Sequence, residues 1–209
     1  MYAGASLTTP SPYLDNETDG AYAVGLGIGN PHENLGLQAT VLVLNIDQFN
    51  RFAMNVHAFR CFGDASAIGV GVENIRLDNA TNDSDKSYYV VYSHCVDGDS
   101  LVNPATGRSK LHFSIGAGSG RFGDKSEFDI ASGKGEHGTY VFGNVAYELF
   151  NEFNIISDWN GLNLNAGISK TFLLGNNVPF VVTLGAADLT RNSGDGVRFI
   201  ASIGTGFTL

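Results

Sequence analysis

The residues best suited to chemistry in this chain are a histidine and a serine two positions apart, His112 and Ser114. On a β-strand, residues at i and i+2 point to the same side, so both side chains would face one space. A carboxylate such as Glu127 or Glu148 would then complete a hydrolase triad, in which the histidine takes the serine proton. His-x-Ser is a short motif that often arises by chance. A lipid hydrolase is therefore kept as an alternative, and no catalytic residue is assigned.

Acidic runs and cysteines are the other candidates for chemistry. Residues 78–86 (DNATNDSDK) and 97–100 (DGDS) carry carboxylates of the kind that bind Ca²⁺. Neither run has EF-hand spacing, and acidic loops are commonly only solvated, so we predict no metal site and no cofactor. Cys61 and Cys95 lie far apart, without metal-ligand spacing. They either form a disulfide in an oxidising compartment or stay as thiols.

The composition narrows the class of protein. The chain has 209 residues, of which 27 are glycine and 16% are charged, and its formal net charge is −9. Average proteins have about 7% glycine and about 25% charged residues. So few charges argue against a soluble helical protein, and 12 basic residues argue against a nucleic-acid partner. The length suits one domain over residues 1–209.

Apolar and small residues alternate with a period of two, which is typical of strands with two unlike faces. In residues 21–29, large side chains at 22, 24, 26 and 28 oppose alanines and glycines. No helical stretch is predicted, and residues 121–131 are expected to add a short hairpin strand to a loop. We predict strands over residues 2–9, 20–29, 35–46, 51–62, 65–77, 86–97, 109–118, 138–149, 152–159, 161–172, 177–188 and 196–208.

The predicted connections differ between the two ends of such a sheet. Long polar ones (10–19, 78–85, 119–137 and 189–195) would share one end, and short ones (30–34, 63–64, 150–151 and 173–176) would share the other with both termini. Short periplasmic turns and longer external loops are typical of bacterial outer-membrane barrels. Three connections depart from this pattern, because 47–50 and 160 are tight and 98–108 is long.

The small-residue face suits the crowded inside of a narrow barrel, so the large residues would face lipid. We therefore predict an all-β fold: a single antiparallel up-and-down transmembrane β-barrel of about twelve strands in the bacterial outer membrane. The chain would be the mature part of an exported protein. A soluble sandwich or barrel and a self-assembling extracellular β-protein are the alternatives. Aromatic girdles are expected from some of the aromatic residues near strand ends or along strands, namely Tyr88, Tyr92, Phe142, Tyr147, Phe153, Trp159, Phe172 and Phe207.

Three segments resemble known outer-membrane proteins. EFNIISDWNGLNLNAGIS, over residues 152–169, looks like the final hairpins of small bacterial outer-membrane barrels, including some encoded with exopolysaccharide export systems. VRFIASIGTGFTL resembles the final strand that barrel-assembly machinery recognises, although it ends in Leu209 with Phe207 before it. His112-Phe113-Ser114 resembles the motif of outer-membrane lipid A deacylases, which form shorter barrels. The resemblance implies a fold and a compartment, but no defined activity.

If large residues face lipid, the alternate residues of each strand form the inner wall, so the odd or even position of a residue (its parity) predicts the side it faces. The pore-lining candidates are Gln38, Arg51, Asn55, His57, Glu73, His112, Ser114, Asn144, Glu148, Asp158, Asn163, Asn165 and Arg198. We expect a passive channel for small polar solutes, or a barrel that serves envelope export, with a homo-oligomer as one possible assembly. A sealed barrel, in which Arg51 and Arg198 pair with wall carboxylates, is the structural alternative. A barrel for acidic sugars would need a more basic wall.

Overall fold

Twelve β-strands make up almost all of the regular structure. The computed structural model describes residues 1–11, 17–46, 49–78, 85–175, 178–194 and 196–207. The strands are β1 (Tyr2–Ser11), β2 (Glu17–Gly29), β3 (Gly36–Asn45), β4 (Asn50–Phe62), β5 (Ser66–Arg76), β6 (Ser87–Cys95), β7 (Leu111–Gly118), β8 (Val141–Phe150), β9 (Phe153–Trp159), β10 (Leu164–Leu174), β11 (Val178–Ala187) and β12 (Arg198–Gly206). The twelve predicted strands are confirmed, with ends shifted by a few residues.

The strands form one closed antiparallel barrel in which each pairs with its neighbours in sequence. The first and last strands close the ring, in a register that runs from Tyr2 opposite Gly206 to Thr9 opposite Phe199. Closure leaves no strand edge exposed. The prediction of a single up-and-down barrel is confirmed.

The large apolar side chains lie on the outside. Leu26, Ile28 and Phe199 are 55%, 71% and 65% exposed. Among the described residues, the only buried hydrophobic ones are Val43, Ala53, Phe122 and Ala187. A soluble barrel of this size would bury a much larger apolar core, whereas an outward apolar band is what a bilayer covers.

Aromatic side chains gather near the two rims of this outer face. Phe150 and Phe153 stack with ring centroids 4.4 Å apart, and Phe172 stacks on Phe180 at 5.3 Å. Near the other rim, Phe49 is 61% exposed and lies against Tyr22. The arrangement resembles the interfacial girdles of membrane barrels. One of the candidate girdle residues, Phe142, does not belong to a girdle, because it lies inside the barrel against Phe122.

The connections divide between two ends, here named the terminal end, which holds both chain termini, and the distal end. The turns after β2, β4, β8 and β10 lie at the terminal end and are short, as predicted. The long connection between β6 and β7 also lies there, and it folds back onto the barrel. In it, the buried Asn103 donates from Nδ2 to Glu148 Oε2 at 2.9 Å.

The connection between β7 and β8, at the distal end, contains a short helix, α1 (Glu127–Ala131), where a hairpin strand was predicted. Ser126 caps this helix, because its side chain accepts from the Asp129 amide, and acidic residues occupy the first turn. The sequence carries this capping signal, but five residues are too few to show a helical period. In the described ranges, no helix is long and apolar enough to cross a membrane.

Candidate functional site in the barrel lumen

Side chains that contact each other across an intervening strand identify the inner face. The ring of Tyr2 on β1 lies over Gly25 of β2. Its hydroxyl reaches β3, where it hydrogen-bonds the Thr40 hydroxyl and accepts from Gln38 Nε2 at 2.5 Å. Only the concave side of a barrel brings alternate strands this close. A Cβ at Gly25 would overlap the Tyr2 ring, so the glycine is what allows the crossing.

The same arrangement, an aromatic ring over a glycine of the neighbouring strand, repeats along one side of the lumen. Tyr89 of β6 lies over Gly71, with its hydroxyl 2.7 Å from His57 Nδ1 on β4. Phe142 of β8 lies over Gly116 and contacts Tyr89 edge-on at 6.1 Å. From β4 to β8 the wall is therefore a nearly continuous row of rings.

The opposite side of the lumen has small and hydroxylic residues instead. Ser169, Thr183, Ser202 and Ser6 occupy one register row across β10, β11, β12 and β1. Glycines take the next inward positions on β10 and β11, at Gly167 and Gly185. This side of the wall therefore carries short side chains, in contrast to the rings on the other side.

Strand register places twelve of the thirteen pore-lining candidates on the inner faces of strands or at their inner ends. These are Gln38, Arg51, Asn55, His57, Glu73, His112, Ser114, Asn144, Glu148, Asp158, Asn165 and Arg198. None of the twelve is fully buried, and Asn144 is exposed. Such partial exposure inside a closed ring is expected of a hollow interior.

Asn163 is the exception among the candidates. It lies between β9 and β10 at the distal end and is fully buried. Its Nδ2 donates to Ser193 at 2.6 Å, and its Oδ1 accepts from Thr190 and the Asn192 amide. Asn163 therefore joins two distal connections and is not part of the wall. The β-period alone could not reveal this, since the residue falls just before the strand.

The charged wall residues have local partners that differ from the predicted ones. Arg198 donates from Nε and Nη2 to Asp188 Oδ2, both at 2.7 Å. Arg121 donates to Glu73 at 2.9 Å. The predicted pairing of Arg198 with Glu73, Glu148 or Asp158 is thus replaced by an ion pair with Asp188, a buried residue that follows β11.

The other two wall carboxylates are held by amides. Asp158 accepts from Asn165 Nδ2 at 3.1 Å. Glu148 accepts from Asn103 and from the backbone amide of Glu152, the latter at 2.6 Å. An amide donor satisfies a carboxylate lone pair without bringing a positive charge.

His112 and Ser114 do not form a catalytic pair. His112 Nδ1 lies 3.1 Å from Cys95 Sγ and its Nε2 lies 2.8 Å from the Ser109 carbonyl oxygen. Ser114 Oγ instead forms a hydrogen bond with Ser93 Oγ at 2.8 Å. Both residues face inward, away from lipid. The geometry gives the hydrolase alternative no base for this serine.

A serine–histidine contact that the sequence did not reveal lies on the outer face. Ser66 Oγ is 2.9 Å from His94 Nδ1, and Tyr92 Oη is 3.1 Å from Ser66 Oγ. These residues come from paired strands, so no linear motif could show them. Among the described residues no carboxylate hydrogen-bonds His94, so the third member of a triad is missing.

Ser114→Ala is expected to leave any lipid hydrolysis by the refolded protein unchanged, because the serine has no histidine partner. The measurement is fatty-acid release from phospholipid micelles by both forms. A loss of measurable hydrolysis in Ser114→Ala, with the barrel still folded, would reinstate the hydrolase.

No metal centre is assembled from the described residues, since none of their His, Cys, Asp and Glu side chains form a group of three or more suited to an ion. Of the acidic run 78–86, residues 79–84 lie outside the described residues. The cysteines are both free. They are separated by β5, a distance of roughly 10 Å at about 4.8 Å per strand, beyond the reach of a disulfide.

The connection from residue 119 to 140, here named the cap, lies at the distal end of the lumen. Its Phe122 is buried against Tyr89 and Phe142, with ring centroids 5.7 Å and 4.3 Å away. The cap therefore begins inside the rim and continues the ring-lined wall. At its far end, a hydrogen bond to Asp124 raises the pKa of Tyr140 above its usual value.

Hydrogen bonds join the cap to β5 on one side of the barrel and to the β11–β12 connection on the other. On one side Arg121 reaches Glu73 of β5. On the other, Lys125 Nζ donates to the Asn192 carbonyl at 2.9 Å, and Asp129 accepts from the Gly194 amide at 2.7 Å. In a ring of twelve strands, β5 lies opposite β11, so these contacts extend over half the distal rim.

Comparison with solved structures matches this architecture over the whole chain. The NanC porin aligns with a TM-score of 0.57 at 12% identity, covering 100% of this chain and 99% of that one. The KdgM porin in complex with disordered oligogalacturonate aligns with a TM-score of 0.55 at 12% identity, covering both chains completely. Outer-membrane phospholipase A from Escherichia coli aligns at 0.54 and 10% identity, covering 100% of this chain and 96% of that one. No family model and no curated protein matches the sequence.

The chain is thus a small outer-membrane-type β-barrel with the closed twelve-strand fold seen in porins. At these identities the likeness concerns the fold. An outer-membrane location is supported by the same neighbours, together with the outward apolar band.

Proposed function

We propose that this protein is a passive channel for small polar solutes across the bacterial outer membrane. The observation that carries the proposal is the solvent exposure of side chains on the inner face of the barrel. Asn144 is exposed and Val181 is 38% exposed although register places both on the inner face. A further cavity of about 180 Å³ lies between Ser6, Thr8 and Arg198. A sealed barrel would bury such groups in a packed network.

The wall suggests how solutes would pass. Hydroxyl and amide groups of the lumen offer hydrogen bonds in place of hydration, so a polar solute enters without a large desolvation cost. Among the charged residues of the wall, Glu148 and Asp158 contact amides, Glu73 and Arg198 are ion-paired, and Arg51 and Lys110 add positive charge. Because the two signs of charge are close to balanced, we propose a preference for neutral solutes. The KdgM structure was solved with oligogalacturonate, an acidic chain, for which this wall is poorly suited.

Reconstitution tests the proposal directly. The full chain is refolded in detergent micelles, checked for a β-rich spectrum and a heat-modifiable gel band, and then added to planar bilayers. Stepwise single-channel currents, together with swelling of proteoliposomes in small sugars, are expected. A folded barrel that inserts and carries no current would favour the sealed structural alternative. A monodisperse β-rich protein in plain buffer would favour the soluble one.

Asp158→Asn is expected to lower the permeability ratio of K⁺ to Cl⁻, because it removes a negative charge from the wall and keeps the hydrogen bond from Asn165. The measurement is the reversal potential in a KCl gradient. Asp99→Asn is the matched control, since it removes the same charge from an exposed residue of the β6–β7 connection. Equal shifts in both variants would show that selectivity arises outside the lumen.

Self-association is a separate prediction about the outer face. A second copy would cover part of the apolar band that lipid otherwise covers. Chemical cross-linking in micelles, followed by separation on a denaturing gel, gives the number of copies, and a monomer at all protein concentrations would contradict this prediction.

A further inference from the structure

We infer that Cys95 and His112 form a reactive thiol site at the terminal mouth of the lumen, which takes low-molecular-weight disulfides. Cys95 Sγ lies 3.1 Å from His112 Nδ1, and the two residues sit opposite each other in the β6–β7 register. The site is independent of conduction. Only its effect on current rests on the proposed channel function.

The second nitrogen of His112 fixes the direction of the contact. Nε2 lies 2.8 Å from the carbonyl oxygen of Ser109, which only accepts, so Nε2 carries a proton. In the neutral ring Nδ1 is then the acceptor, and the Cys95 thiol donates to it. Thiols are activated when they hydrogen-bond to a base that a third group orients. Here Cys95 is the thiol, His112 is the base, and the Ser109 carbonyl oxygen orients it.

The pair opens onto a space large enough for a ligand. A cavity of about 640 Å³ is lined by Cys95 and His112 together with Asp64, Asp97 and Arg108. Asp64 belongs to the turn after β4, and Asp97 and Arg108 to the connection after β6, so the cavity lies at the terminal end. Glu148 and Lys110 add further charges near the pair.

The reaction is a thiol–disulfide exchange. His112 Nδ1 takes the proton of Cys95, the thiolate attacks one sulfur of a disulfide R–S–S–R, and the bond between its sulfurs breaks. The products are a mixed disulfide on Cys95 and R–S⁻, which recovers the proton from His112. No further oxidant is needed. In a conducting barrel the bound R group would occupy the terminal mouth and reduce the current.

Cys61 provides an internal control. It is also free and partly buried. It lies on β4, and it has no histidine contact among the described residues. In Cys61→Ser the only remaining cysteine is Cys95, and in Cys95→Ser it is Cys61. Both folded variants are treated with 2,2′-dithiodipyridine, a neutral disulfide, while thiopyridone release and protein mass are followed.

Cys95 is expected to react at least about tenfold faster than Cys61, and His112→Gln in the Cys61→Ser background should remove most of that advantage. After heat unfolding in SDS the rates should become equal. Equal rates in the folded proteins would overturn the inference. If His112→Gln fails to give the heat-modifiable band, peptide mass spectrometry of the wild-type protein compares the two cysteines without that substitution.

The current through Cys61→Ser channels separates this inference from the proposed function. Rapid labelling with a current drop that a reductant reverses supports both. Rapid labelling of a folded barrel that never conducts supports the thiol site and contradicts the channel. Stepwise currents without labelling of Cys95 contradict the thiol site alone.

Discussion

Replacing residues 125–136 of the cap by an Asn-Gly turn is expected to raise the single-channel conductance by about twofold or more, because it clears the distal mouth. Asp124 and His137 already face each other as an isolated antiparallel bridge, so a two-residue turn can join them. The change removes Lys125, Asp129 and Lys134, which tie the cap to the β11–β12 connection. The measurement is the conductance step in planar bilayers. An unchanged step in a heat-modifiable barrel would show that the cap does not limit the opening.

A milder variant tests the same idea without deleting residues. A Cβ at Gly161 would lie 2.0 Å from the carbonyl oxygen of Phe122, so Gly161→Ala should push the start of the cap off the β9–β10 turn. Gly133→Ala is the matched control, because Gly133 also has a positive φ but has nothing within 4 Å of the added Cβ. Gly161→Ala is expected to raise conductance and protease cleavage within the cap. Equal behaviour of the two variants would assign the effect to backbone strain.

The twelve strands were predictable because a barrel wall imposes one simple rule at every position. Each strand separates lipid from lumen, so side-chain size alternates with a period of two along its length. The pattern Tyr22, Val24, Leu26 and Ile28 against small residues shows it plainly. The same alternation predicts that Asn144 and Glu148 face inward, which is the side that the strand register gives them. Applied to Phe142, two positions before Asn144, it would have placed that ring inside as well, where the aromatic-girdle pattern put it outside.

The contacts between distant connections were not predictable from the sequence. Asp129 meets Gly194 and Arg198 meets Asp188 through the geometry of the closed ring, and no local period encodes either pairing. Short motifs were misleading for the same reason. His112 and Ser114 share a face, but their partners, Cys95 and Ser93, come from the neighbouring strand. Parity gives the direction of a side chain, whereas the register across strands decides its chemistry.

The ion pair at the distal end of β12 is expected to have the largest effect on stability. Arg198→Met leaves the carboxylate of Asp188 without its partner, and that side chain is only 3% exposed. Breaking a buried pair by removing one member costs about 3–5 kcal/mol, because the remaining charge stays desolvated. The measurement is urea unfolding of the refolded protein in micelles, followed by the fluorescence of Trp159, the single tryptophan.

The double variant Arg198→Met/Asp188→Asn separates the charge effect from lost packing. Asn keeps the size of Asp and removes the uncompensated charge, so the double variant should recover a large part of the stability that Arg198→Met loses. The backbone N–H of residue 188 still donates to Asn165 Oδ1 in both variants, which holds the chain in place after β11. A double variant no more stable than Arg198→Met would mean that the guanidinium acts through its packing and other contacts. Recovery would mean that the buried carboxylate of Asp188 requires a cation beside it, whereas Asp158 of the same lumen accepts from an amide.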